Sequence, residues 1–379
     1  MKIRMYNVGH GDCFCLRDRK RSLLVDFGSS NSRIDGRNRQ EVFDVIISDL
    51  TTIGQKSLLL TQFHTDHLAG LVYMMKHRAD SCEFEKIYLP DVFSKPEQSK
   101  TLALFLLADL MKDFYLPNRQ VSVLTLVEAL SRRPQKVELL SRGRMFEEKY
   151  QALWPDTDVI QKETDAIFQK FPGESQGIFG RLTEYADKLR RAVYAMTEDG
   201  DTGEKLPPVS SLEREFRELR AMPEFQELLL YLEDEKPPLR AFKNKISVVF
   251  QNAREGELNL LFTGDVEQVY LQMIADDYDG NYPLYEHYWC VKVPHHGMEE
   301  YYFDFSPYMP ENMLISNGVY FANSKKESKP HRISAQYAGL FYIKDAHMYC
   351  SNENCCDGYQ NGCTCKECDI IAPNFYKDI

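Results

Sequence analysis

Three short apolar runs in this chain each stop at histidine or aspartate, and that repetition constrains the fold more than any other feature. Ser57-Leu-Leu-Leu-Thr61 leads into Gln62-Phe63-His64-Thr65-Asp66-His67. Leu260-Leu-Phe-Thr-Gly leads into Asp265, and Val291-Lys292-Val293-Pro294 leads into His295-His296-Gly297. A buried carboxylate or imidazole needs a counter-charge, a hydrogen-bond partner or a metal. Each run alone has a blander explanation: Asp66 or Asp265 as a helix N-cap, or a structural histidine at a strand end. Core packing gives no reason for the pattern to occur three times. Converging imidazoles and carboxylates suit Zn²⁺, and a carboxylate-heavy subset also suits Mn²⁺. An ion held there polarises a scissile group and activates water.

The rest of the chain reads as strands and helices in alternation. Strands are expected at Lys2–Val8, Cys13–Leu16, Ser22–Asp26, Ser57–Thr61, Glu85–Pro90, Val137–Leu140 and Gln151–Trp154. Further strands are expected at Ile246–Gln251, Leu258–Thr263, Cys290–Val293 and Asn312–Ser316, with helices over Glu41–Leu50, from Leu71 and after Asp265. Between 156 and 240 the character changes to charge-rich helical segments such as Ser211-Leu-Glu-Arg-Glu-Phe-Arg-Glu-Leu-Arg220, so this stretch reads as a helical insertion. No segment approaches the roughly 18 apolar residues of a membrane helix. The N-terminus has no apolar signal core, and a cytoplasmic, membrane-free protein is expected.

At the ligand-type residues the chain resembles the metallo-β-lactamase superfamily. The closer resemblance is to the soluble hydrolase domain of ComEC-type competence proteins (bacterial DNA-uptake channels) and their free-standing relatives. It rests on Asn7-Val8-Gly9-His10-Gly11-Asp12, Leu24-Val25-Asp26-Phe27-Gly28, the Gln62–His67 run, Asn244-Lys-Ile-Ser247 and Phe262-Thr263-Gly264-Asp265. Lys292-Val293-Pro294-His295-His296-Gly297, Ser316-Asn317-Gly318 and Pro330-His331 complete it. The resemblance implies an α/β fold, the metallo-β-lactamase αββα sandwich, with its first half in 1–155 and its second in 241–347. The insertion 156–240 and a Cys-rich tail, 348–379, fall outside it.

The resemblance also implies a site. One well-held divalent ion, Zn or Mn, would sit on Asp66, His67, Asp265 and one of His295 and His296. A weaker second position would use Gln62, His64, Asn244 and the shared Asp265. Gln62 stands where the family's run begins with histidine, which dilutes that second set. Asp66 and His296 would act at the metal. Lys292 would offset developing negative charge or lie solvated. His331 would protonate a leaving group, hold a phosphate, or be a surface residue. Asp12 and Asp26 would support turns and ligands, and His10 would line the site.

Six of the ten cysteines fall in the tail: Cys350, Cys355, Cys356, Cys363, Cys365 and Cys368. With no export signal, a structural zinc held by four of them is the first reading, against disulfides or unligated thiols. Cys13, Cys15, Cys82 and Cys290 read as small buried hydrophobes. The expected activity is metal-assisted hydrolysis of a phosphodiester, as in a nuclease or phosphodiesterase. A net charge of −11 disfavours broad wrapping of duplex DNA and points to a phosphate ester or single-stranded nucleic acid. The rival is a catalytically degenerate partner protein of a multi-component bacterial system, such as a defence locus, docking through 156–240. An ester, lactam or thioester hydrolase ranks third.

Overall fold

Strand after strand, side-chain alternation divides the residues between two apolar cores. Leu23 and Val25 enter one cluster while Leu24 enters the other; Leu59 and Leu58, Phe262 and Leu261, and Leu314 and Met313 divide likewise. Opposite faces of a strand carry alternate residues, so each strand is covered on both sides. The computed structural model describes residues 1–18, 21–34, 36–78, 80–81, 83–115, 123–131, 136–171, 173, 176–200, 208–232, 239, 242–317, 319–321, 328–330, 333–334, 336–337, 346–351, 369–370 and 376–379.

One sheet has seven strands, in the order Tyr376–Asp378, Lys2–Tyr6, Phe14–Arg17, Ser22–Val25, Lys56–Leu59, Lys86–Pro90 and Lys136–Leu140. Its neighbours pair antiparallel as far as Ser22–Val25 and parallel beyond. The other has eight: Asp369–Ile370, His347–Cys350, Asn312–Ile315, Cys290–Lys292, Leu260–Phe262, Val249–Asn252, Tyr150–Trp154 and Met145–Phe146. It is parallel as far as Leu260–Phe262 and antiparallel from there. The smaller core lies between the sheets, where Phe14 meets Phe262 edge-on at 5.6 Å and Tyr88 meets Phe146 at 5.2 Å. The chain is thus a mixed α/β protein.

Parallel neighbours require crossovers, and helices supply them. Arg39–Thr51 and Thr65–His77 flank Lys56–Leu59, and Gln268–Ala275 links Leu260–Phe262 to Cys290–Lys292. The helix expected from Leu71 begins six residues earlier, at Thr65. Asp66 and His67 therefore sit in its first turn, where the helix dipole favours a carboxylate. The expected strand at Ile246 begins instead as a single helical turn, Lys243–Ile246, with the strand following at Val249.

Within 156–240 the described helices are Thr157–Phe168, Gln176–Tyr194, Val209–Arg220 and Pro223–Tyr231. They share the helix-side core with Ser99–Tyr115 and Val123–Ser131. Ser99 Oγ donates to Asp187 Oδ1 at 2.9 Å, and Arg190 Nη1 donates to the Phe93 carbonyl at 3.1 Å. Their inner faces are thereby committed to this chain's own core. Cys13, Cys15 and Cys290 are buried, and Cys350 is buried on its strand; Cys82, Cys355, Cys356, Cys363, Cys365 and Cys368 lie outside the described residues. Among the described residues no helix is long and apolar enough to cross a membrane.

Phe262 contacts Phe14 on the opposite sheet and stacks on Phe250 beside it. Phe262→Ala should therefore cost about 3–5 kcal/mol, read as a lower urea midpoint at unchanged slope. A loss below about 1 kcal/mol would mean that the inter-sheet core is not continuous there.

Candidate metal centre

The residues that ended each apolar run come together at one edge of both sheets, where open α/β sheets characteristically bind ligands. Asp26 follows Ser22–Val25, and Thr61–His67 follows Lys56–Leu59. Asp265 follows Leu260–Phe262, and His295 and His296 follow Cys290–Lys292. A backbone bond from Val248 to the Thr61 carbonyl (2.9 Å) joins the sheets beneath the site.

Two glycines allow the loops to close on the start of helix Thr65–His77. A Cβ on Gly28 would stand 2.5 Å from the Asp66 and His67 backbone, and one on Gly11 would stand 2.4 Å from the Gly28 carbonyl. The amides of Asp12 and Phe27 then bond the carbonyls of Asp66 and His67, at 2.9 and 2.8 Å. Opposite, His295, His296 and Gly297 all have positive φ (42°, 57° and 76°). For the two histidines this is costly backbone, tolerated where the surroundings fix it. Asn317 Nδ2 holds the His296 carbonyl at 2.9 Å, and the Ser334 amide holds that of Gly297 at 2.8 Å.

Ligand-type atoms of Asp66, His67, Asp265 and His296 lie within 4.8 Å of one another. His67, Asp265 and His296 are fully buried, while the Asp66 side chain keeps 15% exposure. His67 Nε2 is 2.9 Å from Asp265 Oδ2, and His296 Nε2 is 3.3 Å from Asp66 Oδ2. Each imidazole is oriented from behind. His67 Nδ1 meets Asp26 Oδ2 at 2.9 Å, and His296 Nδ1 meets the Ser316 carbonyl at 2.8 Å. Both leave Nε2 facing the other ligands, the arrangement that steadies metal-binding histidines. The buried His/Asp group can therefore hold a metal ion.

Charge makes the same point. Asp12, Asp26, Asp66 and Asp265 crowd around the two imidazoles, and buried Lys292 pairs with Asp12 and Asp265. Burial works against Asp12, yet Lys292 and His296 hold its carboxyl down to about 2. Asp66 and Asp265 are likewise held well below the usual carboxylate range, against burial, Asp66 chiefly by His296 and Asp265 chiefly by His67. Burial raises Asp26. Burial would lower both ligand imidazoles. Asp265 and Asp26 instead drive His67 well above its ordinary value, and Asp265 and Asp12 push His296 up to about 10. Without an ion, protons supply the positive charge that these carboxylates demand.

Several expected roles change. Asp265 caps no helix, because helix Gln268–Ala275 takes Glu267 as its N-cap. His64 is the N-cap residue of Thr65–His77 and is not in the four-residue group. Of the paired histidines, His296 joins the group. His295 Nε2 stays 3.8 Å from Asp265 Oδ2, its ring edge-on to Tyr301 at 3.9 Å, and burial lowers it to about 4. Lys292 is not solvated: it is buried, with its Nζ on the Gly264 carbonyl (2.8 Å), Asp12 (2.6 Å) and Asp265 (3.3 Å). The side-chain oxygens of Gln62 and Asn244 are both buried without a hydrogen-bond partner among the described residues. Gln62 turns its Nε2 to Asp265 and His67, and Asn244 Nδ2 donates to the Tyr301 hydroxyl at 2.9 Å.

His10 does reach the site, with Nε2 3.8 Å from Asp66 Oδ2 and its ring 4.4 Å from that of His296. His331 lies outside the described residues. Thr61 and Tyr301 were given no site role in the sequence, and Ser316 entered only through the Ser316-Asn317-Gly318 motif. Thr61 bonds Asp26 through both amide and hydroxyl, each at 2.7 Å. For Thr61 and Tyr301, nearness in sequence to the ligand-type runs was the available signal.

The fold and centre thus define a mixed α/β protein with a buried group able to hold a metal. No protein-family model matches the chain, and no curated protein matches it.

The raised imidazoles have a measurable consequence. An ion entering this group displaces protons from His67 and His296, so binding at pH 7 should release protons and tighten as pH rises. Calorimetry in buffers of differing ionisation enthalpy measures the release; none at pH 7 would show that the histidines are already neutral. The ion-free protein should also lose stability as pH rises from about 6.5 towards the His296 value of about 10, because the folded state holds protons there that the unfolded chain does not.

Proposed function

We propose that this chain is a metal-dependent hydrolase of the metallo-β-lactamase fold acting on phosphodiester bonds. The observation that carries the reading is the convergence of Asp66, His67, Asp265 and His296 at the ends of strands from both sheets. The layering supports the fold assignment, with an apolar core between the sheets and helices on their outer faces. So does the resemblance of the residues at each strand end to that superfamily's motifs.

In this reading Asp66, His67, Asp265 and His296 hold a divalent ion, Zn²⁺ or Mn²⁺ by the chemistry of the set. Bound there, the ion would supply Lewis acidity toward a phosphoryl oxygen and water. The protein's own groups set the geometry. Asp26 and the Ser316 carbonyl fix which nitrogen of each imidazole faces inward. His67 and His296 hold the Asp265 carboxylate ionised, and Lys292 adds to this while balancing Asp12 from inside. Asp66, the partly exposed member, marks the side from which a substrate approaches. A phosphodiester suits this centre because a bound ion reverses the local field that the carboxylates would otherwise present to an anion.

The test is hydrolysis of bis-p-nitrophenyl phosphate with and without Mn²⁺, alongside metal content. Wild type should turn over with Mn²⁺, and Asp66→Ala/His67→Ala should lose at least about 100-fold, about 2.7 kcal/mol of barrier. Bound metal without turnover on phosphodiester, ester or lactam reporters would favour the degenerate, partner-binding reading.

A further inference from the structure

We propose that Gln62 limits this centre to a single ion, because its carboxamide hydrogens occupy the lone pairs that a second cation beside Asp265 would need. The inference rests on reading the four-residue group as a metal centre.

Gln62 is fully buried between strand Lys56–Leu59 and helix Thr65–His77. Its Nε2 lies 2.6 Å from Asp265 Oδ2 and 2.7 Å from His67 Nε2. The Asp265 carboxylate oxygen is an acceptor, and the primary amide has hydrogens to give it. Turning the amide over would set Oε1 against the Asp265 carboxylate, two acceptors in contact, so the orientation follows from the neighbours. Oε1 itself is buried without a hydrogen-bond partner among the described residues. The amide therefore faces the site with its positive end and sacrifices its oxygen to do so.

Lone pairs decide the stoichiometry. Asp265 Oδ2 has two, one for Gln62 and one for an ion. His67 Nε2 gives up its proton to an entering ion and then offers that ion its one lone pair. A second ion on the Gln62 side of Asp265 would meet N–H hydrogens where it needs donor atoms. Unlike an imidazolium or a carboxylic acid, a carboxamide does not release those hydrogens in the physiological range. Among the neighbours, Asn244 Nδ2 is turned to Tyr301 while its Oδ1 is buried without a hydrogen-bond partner among the described residues, and His295 is packed edge-on against the same ring.

Mn²⁺ binding to the full chain tests this, by equilibrium dialysis and electron paramagnetic resonance, counting only ions lost in Asp265→Asn. Wild type should bind one ion, with an isolated-ion spectrum. Gln62→His replaces the N–H with a lone pair and should bind two, with an exchange-coupled signal; Gln62→Glu should do the same and stands in if the histidine variant does not fold. Gln62→Met removes the hydrogens without adding a strong donor and should stay at one. Two ions in wild type, or one in a folded Gln62→His, overturns the inference and leaves the metal centre standing. No Asp265-dependent ion in wild type overturns the centre and the inference together.

Discussion

The ends of the central strands carry more negative charge than a protein interior tolerates unaided. Asp12, Asp26 and Asp265 are each no more than 1% exposed, and isolated buried carboxylates are among the costliest groups a fold can hold. The local architecture answers that demand. Lys292 reaches inward from its strand to Asp12 and Asp265, Thr61 gives two hydrogen bonds to Asp26, and His67 lies between Asp26 and Asp265. The remaining positive charge falls to protons on imidazoles or to a metal ion.

That electrostatic demand explains why the backbone is so tightly constrained at this edge. Glycines 11 and 28 let two loops touch the first turn of helix Thr65–His77, and the left-handed turn at His295–Gly297 delivers His296 from the opposite sheet. Strained or crowded backbone persists when many contacts over-determine it. Those contacts hold each half's loops in place, and the His/Asp group draws its members from both halves, so neither can make the centre alone. The interleaved apolar core supplies the rigidity, and the site uses it.

Asp26, Ser316 and Lys292 act on the centre through its ligands, each settling a question of orientation or charge. Gln62 is of another kind, an uncharged group placed where a charged one would fit. Its two short contacts make Asp265 and His67 neighbours even without an ion. The same contacts make the centre asymmetric about Asp265, with an amide on one side and imidazoles on the other.

What the sequence by itself determined is local. Apolar runs that stop at His or Asp are contiguous, and strand alternation is a period of two, so the strands, the mixed α/β class and the residues Asp66, His67 and Asp265 were legible. Even the helix at Thr65 could be misjudged only in its start, because the ligand run itself forms its first turn. The tertiary structure decided everything that depends on direction. His295 and His296 are adjacent and chemically alike, and only two successive left-handed residues choose between them. Lys292 reads as a surface or substrate-facing lysine until the opposite strand face brings Asp12 and Asp265 to it. Gln62 and Asp265 are 203 residues apart; no periodicity links them, and which end of the amide faces the carboxylate follows from their meeting in space.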